Sequence, residues 1–131
     1  MFRDAKAFSS FSTDDIQKAK EFYGETLGLE VVETPEGLEL HIAGGTPVFV
    51  YPSQSYTPPT HTVLNFPVDD IDAAVDELTA RGVQMEQYDM PDIKTDEKGI
   101  FRGDGDSGPR AIAWFKDPAD HVLSVIQLDG S

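Results

Sequence analysis

The chain has 131 residues, carrying 24 acidic against 10 basic side chains for a formal net charge of −14. That length makes one ordinary domain that can bury a core without staples, and the absence of cysteine excludes disulfides, thiolate nucleophiles and cysteine metal sites. The Lys and Arg residues do not cluster as a nucleic-acid partner requires, and no apolar run approaches the ~18 residues of a membrane span.

The N-terminal sequence has no apolar stretch behind a basic start, so a soluble cytoplasmic protein is expected. The acidic excess reads as a solubilising surface, and in a sharper alternative as attraction for a cationic ligand.

Strand patterns fall at 7–11, 29–33, 38–42 and 48–51, then at 62–68, 83–88, 111–115 and 122–127. A helix is predicted after Asp15, with Ile16, Ala19, Phe22, Tyr23 and Leu27 on one stripe, and another after Asp70, with Ile71, Ala74, Val75 and Leu78. Each Asp can cap exposed backbone N–H groups, and Gly28 and Gly82 supply the stops. Lys18, Lys20, Asp72 and Asp76 take the wet side. The residues Phe11-Ser12-Thr13-Asp14-Asp15-Ile16-Gln17-Lys18-Ala19 recur as Phe66-Pro67-Val68-Asp69-Asp70-Ile71-Asp72-Ala73-Ala74. The chain therefore reads as two copies of strand, helix, strand, strand, strand: module one at 1–55, a linker at 56–60 containing Pro58-Pro59, and module two at 61–131.

The stretch 89–110 is longer than an ordinary connection. It holds Met90, Ile93, Ile100 and Phe101, which predicts an ordered flap. Within it, Gly103-Asp104-Gly105-Asp106-Ser107-Gly108 spells G-x-G-x-x-G but follows no clear strand and aims two carboxylates where a pyrophosphate would sit. A calcium loop fails as well, because Phe115 stands where the closing Glu is needed.

The segments Asp15-Ile16-Gln17-Lys18-Ala19-Lys20-Glu21-Phe22-Tyr23 with Leu27-Gly28-Leu29, Val68-Asp69-Asp70-Ile71-Asp72-Ala73-Ala74 and Trp114-Phe115-Lys116-Asp117-Pro118 make the chain resemble the vicinal oxygen chelate superfamily. That superfamily includes glyoxalase I, extradiol dioxygenases, fosfomycin-resistance enzymes and bleomycin-resistance proteins. The resemblance implies an α+β fold in which two βαβββ modules pair into an open, cup-shaped mixed sheet with helices outside, commonly as a homodimer. One departure follows Asp117-Pro118, where Asp120 and His121 replace the usual glycine and asparagine; Asp tolerates the left-handed backbone such a turn requires.

Catalytic members hold a divalent ion with His, Glu or Gln from the first and a late strand of each module. At those places this chain has Phe8, Val63, Ser124 and either Phe49 or Tyr51, none of which makes a metal site. A bulge could bring His61 toward the place of Val63, but one histidine does not hold a catalytic ion. His41 shares a strand face with Glu39 and is read as solvent-facing, and His121 is read as part of the turn.

Strand alternation gathers Phe8, Ser10, Phe49, Tyr51, His61, Val63, Asn65 and Ser124 on the face away from the helices, with Trp114 beside them and Tyr88 and Phe101 approaching from the flap side. The expected function is metal-free binding of a small aromatic or amphipathic molecule, cationic by preference, without a cofactor. It is similar in logic to the sequestration carried out by bleomycin-resistance proteins. The alternatives are a metal-dependent lyase or dioxygenase of the glyoxalase or extradiol type, and a degenerate regulatory or interaction module.

Overall fold

The computed structural model describes residues 2–103 and 111–128. The chain divides into two compact units, Met1–Thr57 and Pro58–Ser131, and each is an α+β module of the order βαβββ.

The first unit runs β1 (Ser10–Thr13), α1 (Ile16–Glu21), a π-helical turn (Phe22–Thr26), β2 (Glu30–Thr34), β3 (Gly37–His41) and β4 (Val48–Pro52). Asp15 caps α1 by accepting from the Lys18 N–H at 3.2 Å. The widened turn then lets the adjacent residues Phe22 and Tyr23 meet edge to face at 5.1 Å, and Tyr23 is fully buried. Gly28, at φ 75°, ends the helical stretch.

The sheet order is β1-β4-β3-β2, with β1 parallel to β4 and the other pairs antiparallel. Leu38, Leu40, Val48 and Val50 are buried beneath α1, which packs on β3 and β4. Gly37 is required where β3 begins, because a Cβ there would lie 2.2 Å from the Val50 carbonyl oxygen.

The second unit runs β5 (Thr62–Pro67), α2 (Ile71–Ala80), β6 (Ile100–Arg102), β7 (Ala111–Lys116) and β8 (Val122–Gln127), in the sheet order β5-β8-β7-β6. Asp70 caps α2 through the Ala73 N–H at 3.2 Å, and the side-chain oxygen of Gln127 accepts from the Ile71 N–H at 3.1 Å. Two otherwise orphaned helix donors are thereby satisfied. Ile71, Val75 and Leu78 are buried, as are Ala113, Phe115, Leu123 and Val125 of the sheet that α2 covers. Beyond β7, Asp120 takes the left-handed backbone at φ 69°.

Two strand expectations need correction. β1 starts at Ser10 rather than at 7, because its partner β4 opens at Val48 and no strand residue stands opposite Phe8. Residues 83–88 do not form a strand either: Val83 and Met85 are buried, but pairing is confined to a Met85–Phe115 bridge and a bond from the Glu86 N–H to the Trp114 carbonyl at 2.8 Å. The chain then turns back through an Asp89–Lys94 bridge, and β6 takes over the same edge of β7, with Ile100 opposite Ala113. Part of the predicted flap is thus the missing fourth strand. The glycine-rich run lies outside the described residues from Asp104 onward.

Candidate functional site

In each unit the helix covers one sheet face, and alternation sends the remaining side chains to the other. In the first unit, β-register places Ser10 beside Phe49 and Phe49 beside Glu39, so these share the uncovered face with Ser12, Tyr51 and His41. The Phe49 and Tyr51 rings are nearly parallel, 18° apart in plane with centroids 6.2 Å apart. Tyr51 is 40% exposed.

A hollow of about 420 Å³ opens here, lined by Phe8, Pro47 and Phe49 and by the polar side chains of Lys6, Glu39 and Thr46. Its mouth segment is anchored by the Thr46 hydroxyl, which donates to the Ala7 carbonyl at 2.8 Å, and by the Phe49 N–H, which donates to the Ser9 carbonyl at 2.9 Å. Phe8, although outside β1 and 64% exposed, therefore still contributes to a concave surface.

Sequence reasoning left Glu39 and His41 out of the site. The His41 imidazole lies between two carboxylates, with Nε2 3.0 Å from Glu39 and Nδ1 3.7 Å from Glu30. The signal that could have found them is hairpin register: once Gly44 and Gly45 are read as the turn, Glu39 pairs with Phe49 and His41 falls on the same face as the rings.

In the second unit, Asn65, Ser124 and Trp114 form one row across β5, β8 and β7. The fully buried Ser124 hydroxyl donates to the Asn65 side-chain oxygen at 2.6 Å. Trp114 is half-buried and flanked by Tyr88, edge-on at 5.3 Å and 75°, and by Phe101 at 6.5 Å and 37°. Such offset contacts hold the indole in one orientation. Desolvation, followed by the charge of Glu86, raises the Tyr88 phenol above its ordinary pKa, so it is a protonated donor at neutral pH. His61 is exposed and precedes β5, while Val63 occupies an irregularity where the β5–β8 register shifts between Thr62 and Leu64.

The Glyoxalase/Bleomycin resistance protein/Dioxygenase superfamily profile matches residues 9–125, and the chain belongs to this superfamily. Its fold is similar to that of a glyoxalase family protein from Enterococcus faecalis, at 20% identity and TM-score 0.67 over 97% of this chain and 100% of that one. It is also similar to TnmS3, an antibiotic binding protein from Streptomyces sp. CB03234, at 24% identity and TM-score 0.64 over 96% of this chain and 98% of that one. A third similar structure is the fosfomycin resistance protein FosX from Listeria monocytogenes, at 17% identity and TM-score 0.66 over 95% and 92% of the two chains. No curated protein matches the chain in sequence.

Catalytic relatives in this superfamily use a divalent ion, and the residues present here do not fit one. Phe8, Val63 and Phe49 carry no donor atom at all, the Tyr51 phenol is a single donor, and the Ser124 hydroxyl is engaged by Asn65. Among the described residues no group of three or more His, Cys, Asp or Glu stands in a metal-holding arrangement.

Proposed function

We propose that this protein binds a small, flat, largely apolar molecule on the uncovered sheet faces without using a metal ion, and sequesters it rather than transforming it. The observation carrying this reading is the hollow of about 420 Å³ walled by the rings of Phe8 and Phe49. Its size lies within the range of roughly 300–1,000 Å³ found for small-molecule sites. A buried apolar contact surface with a few polar groups gives affinity through the rings and orientation through hydrogen bonds.

Each unit's face is taken by itself in this reading: the candidate contact residues are Phe8, Ser10, Phe49 and Tyr51 on the first unit, and His61, Val63, Asn65, Trp114 and Ser124 on the second. The net charge of −14 favours ligands that also carry a positive group. That an antibiotic binding protein shares the fold supports the class of ligand, not its identity.

The test pairs two measurements on protein purified without chelator. Elemental analysis is expected to find divalent transition metal far below one equivalent, and a screen of aromatic cations and antibiotics is expected to raise the melting temperature. Stoichiometric Fe, Mn, Ni or Zn that is required for ligand binding would replace sequestration with metal-dependent chemistry.

A further inference from the structure

The contact between Ser124 and Asn65 fixes more than a pair of side chains. At 2.6 Å it lies within the ordinary O–H···O range and is short for an N–H···O bond. The atom of Asn65 facing the buried hydroxyl is therefore its oxygen, and the amide nitrogen is turned away from it. Among the described residues no other hydrogen bond of the Asn65 side chain is found, and Asn65 is exposed. Its two N–H donors are offered to whatever lies on this face.

Asn65 and Trp114 stand on either side of Ser124 in the same cross-strand row. Two strand spacings separate them, about 10 Å. That is the reach of a fused-ring system whose one end stacks on the indole while the other meets the amide. Tyr88 and Phe101 brace the indole, so the stacking surface is preformed, and the Ser124 hydroxyl preorganises the donor.

We infer that the second unit selects planar fused-ring ligands bearing a hydrogen-bond acceptor, such as an aryl carbonyl, with Asn65 Nδ2 as the donor and Ser124 as the residue that positions it. This rests on the ligand-binding reading above and specifies its ligand class. A ligand presenting a donor at that place meets N–H against N–H and is disfavoured, so the pair excludes as well as attracts.

The probes are xanthone and xanthene, matched in shape except for the ring carbonyl. The readout is quenching of Trp114, the single tryptophan of the chain, with the melting temperature as a second measure. The two compounds also differ in hydrophobicity, so the decisive quantity is how their Kd ratio changes between variants. A net hydrogen bond corresponds to about a five- to tenfold preference. Wild type is expected to favour xanthone over xanthene, Asn65→Leu to reduce that preference by about five- to tenfold, and Asn65→Asp to reverse it. Ser124→Ala is expected to lose part of the preference, which a merely structural role for the hydroxyl would not touch.

A Kd ratio unchanged in Asn65→Leu overturns the acceptor assignment while leaving ligand binding intact. Failure of both compounds to quench Trp114 or to raise the melting temperature, up to their solubility limits, overturns the binding reading and this inference with it.

Discussion

The turn between β7 and β8 gives a sharp quantitative test. Asp117 is 5% exposed and His121 fully buried. One carboxylate oxygen accepts from the Ala119 N–H at 3.0 Å and the His121 N–H at 2.8 Å, and the other from the His121 ring Nδ1–H at 2.8 Å. Asp117→Ala strips the acceptor from two backbone donors and a ring donor, all shielded from water. With each buried donor that loses this acceptor costing about 1–3 kcal/mol, the three together cost about 3–9 kcal/mol, a large share of the ~5–15 kcal/mol that holds a domain folded. Asp117→Asn keeps the oxygen that serves both backbone N–H groups. The imidazole can change tautomer and accept from the new amide, so the cost is about 1–2 kcal/mol.

At roughly 3–5 °C per kcal/mol for a chain of this size, the asparagine variant should melt about 3–10 °C below wild type and the alanine variant about 9–45 °C below it, by circular dichroism. Urea midpoints should follow the same order. An asparagine variant as unstable as the alanine one would show that the acceptor geometry at the backbone is not what matters. An alanine variant within 3 °C of wild type would refute the reasoning entirely.

Three further outcomes are expected. Gly37→Ala drives a Cβ to 2.2 Å from the Val50 carbonyl oxygen, so it should cost about 3 kcal/mol or more, read as an early urea midpoint. Tyr51→Ala should weaken binding of a stacking ligand by about 1–3 kcal/mol while leaving the melting temperature nearly unchanged, because this ring is 40% exposed; the opposite pattern would make Tyr51 a packing residue. Asp72 is held below its ordinary pKa by hydrogen bonds from Arg102 and then Lys98, and Lys98 also meets Asp76. A lowered carboxylate pKa stabilises the fold above the unfolded value and loses that contribution as pH falls through the folded one. Asp72→Asn should therefore flatten the acid side of the stability profile below about pH 4, and high salt should mask the difference because the cluster is exposed; a profile identical to wild type at low salt would dismiss the cluster.

The helices were legible because their signals are local. Asp15 and Asp70 sit in extended backbone before each run and cap it, and Gly28 and Gly82 take positive φ at the ends. The same is true of Asp120, whose left-handed backbone follows from the turn its neighbours specify. β6 was hidden because Ile100, Phe101 and Arg102 lie in a Gly- and Asp-rich stretch, and their extended form comes from the edge of β7. Gly99, at φ 85° and where a Cβ would lie 2.9 Å from the Met85 Cβ, is the local trace of that handover. His121 reads from sequence as a turn residue. Its full burial depends on a carboxylate four positions earlier, which no periodicity announces. Phe8 was placed on a strand by counting, whereas strand pairing depends on a partner that the chain supplies only from Val48 onward.

The internal repeat also separates what packing demands from what it leaves open. By register, Phe11 faces Val50 in the first unit where Phe66 faces Val125 in the second. These pairs lie on the helix side, where Phe11 meets Tyr23 at 6.1 Å and Val50 and Val125 are buried. One position earlier, the pairs on the uncovered face are Ser10 with Phe49 and Asn65 with Ser124. The helix-side pairs are nearly the same in both copies, because a large ring over a branched aliphatic fills the same space beneath the same kind of helix. The uncovered pairs share neither size nor polarity. If these faces merely shed water, any small polar residue would serve at all four places. Instead the first copy carries an aromatic ring and the second an amide oriented by a buried hydroxyl, a difference that packing beneath the helices does not impose and that the proposed ligand reading would use.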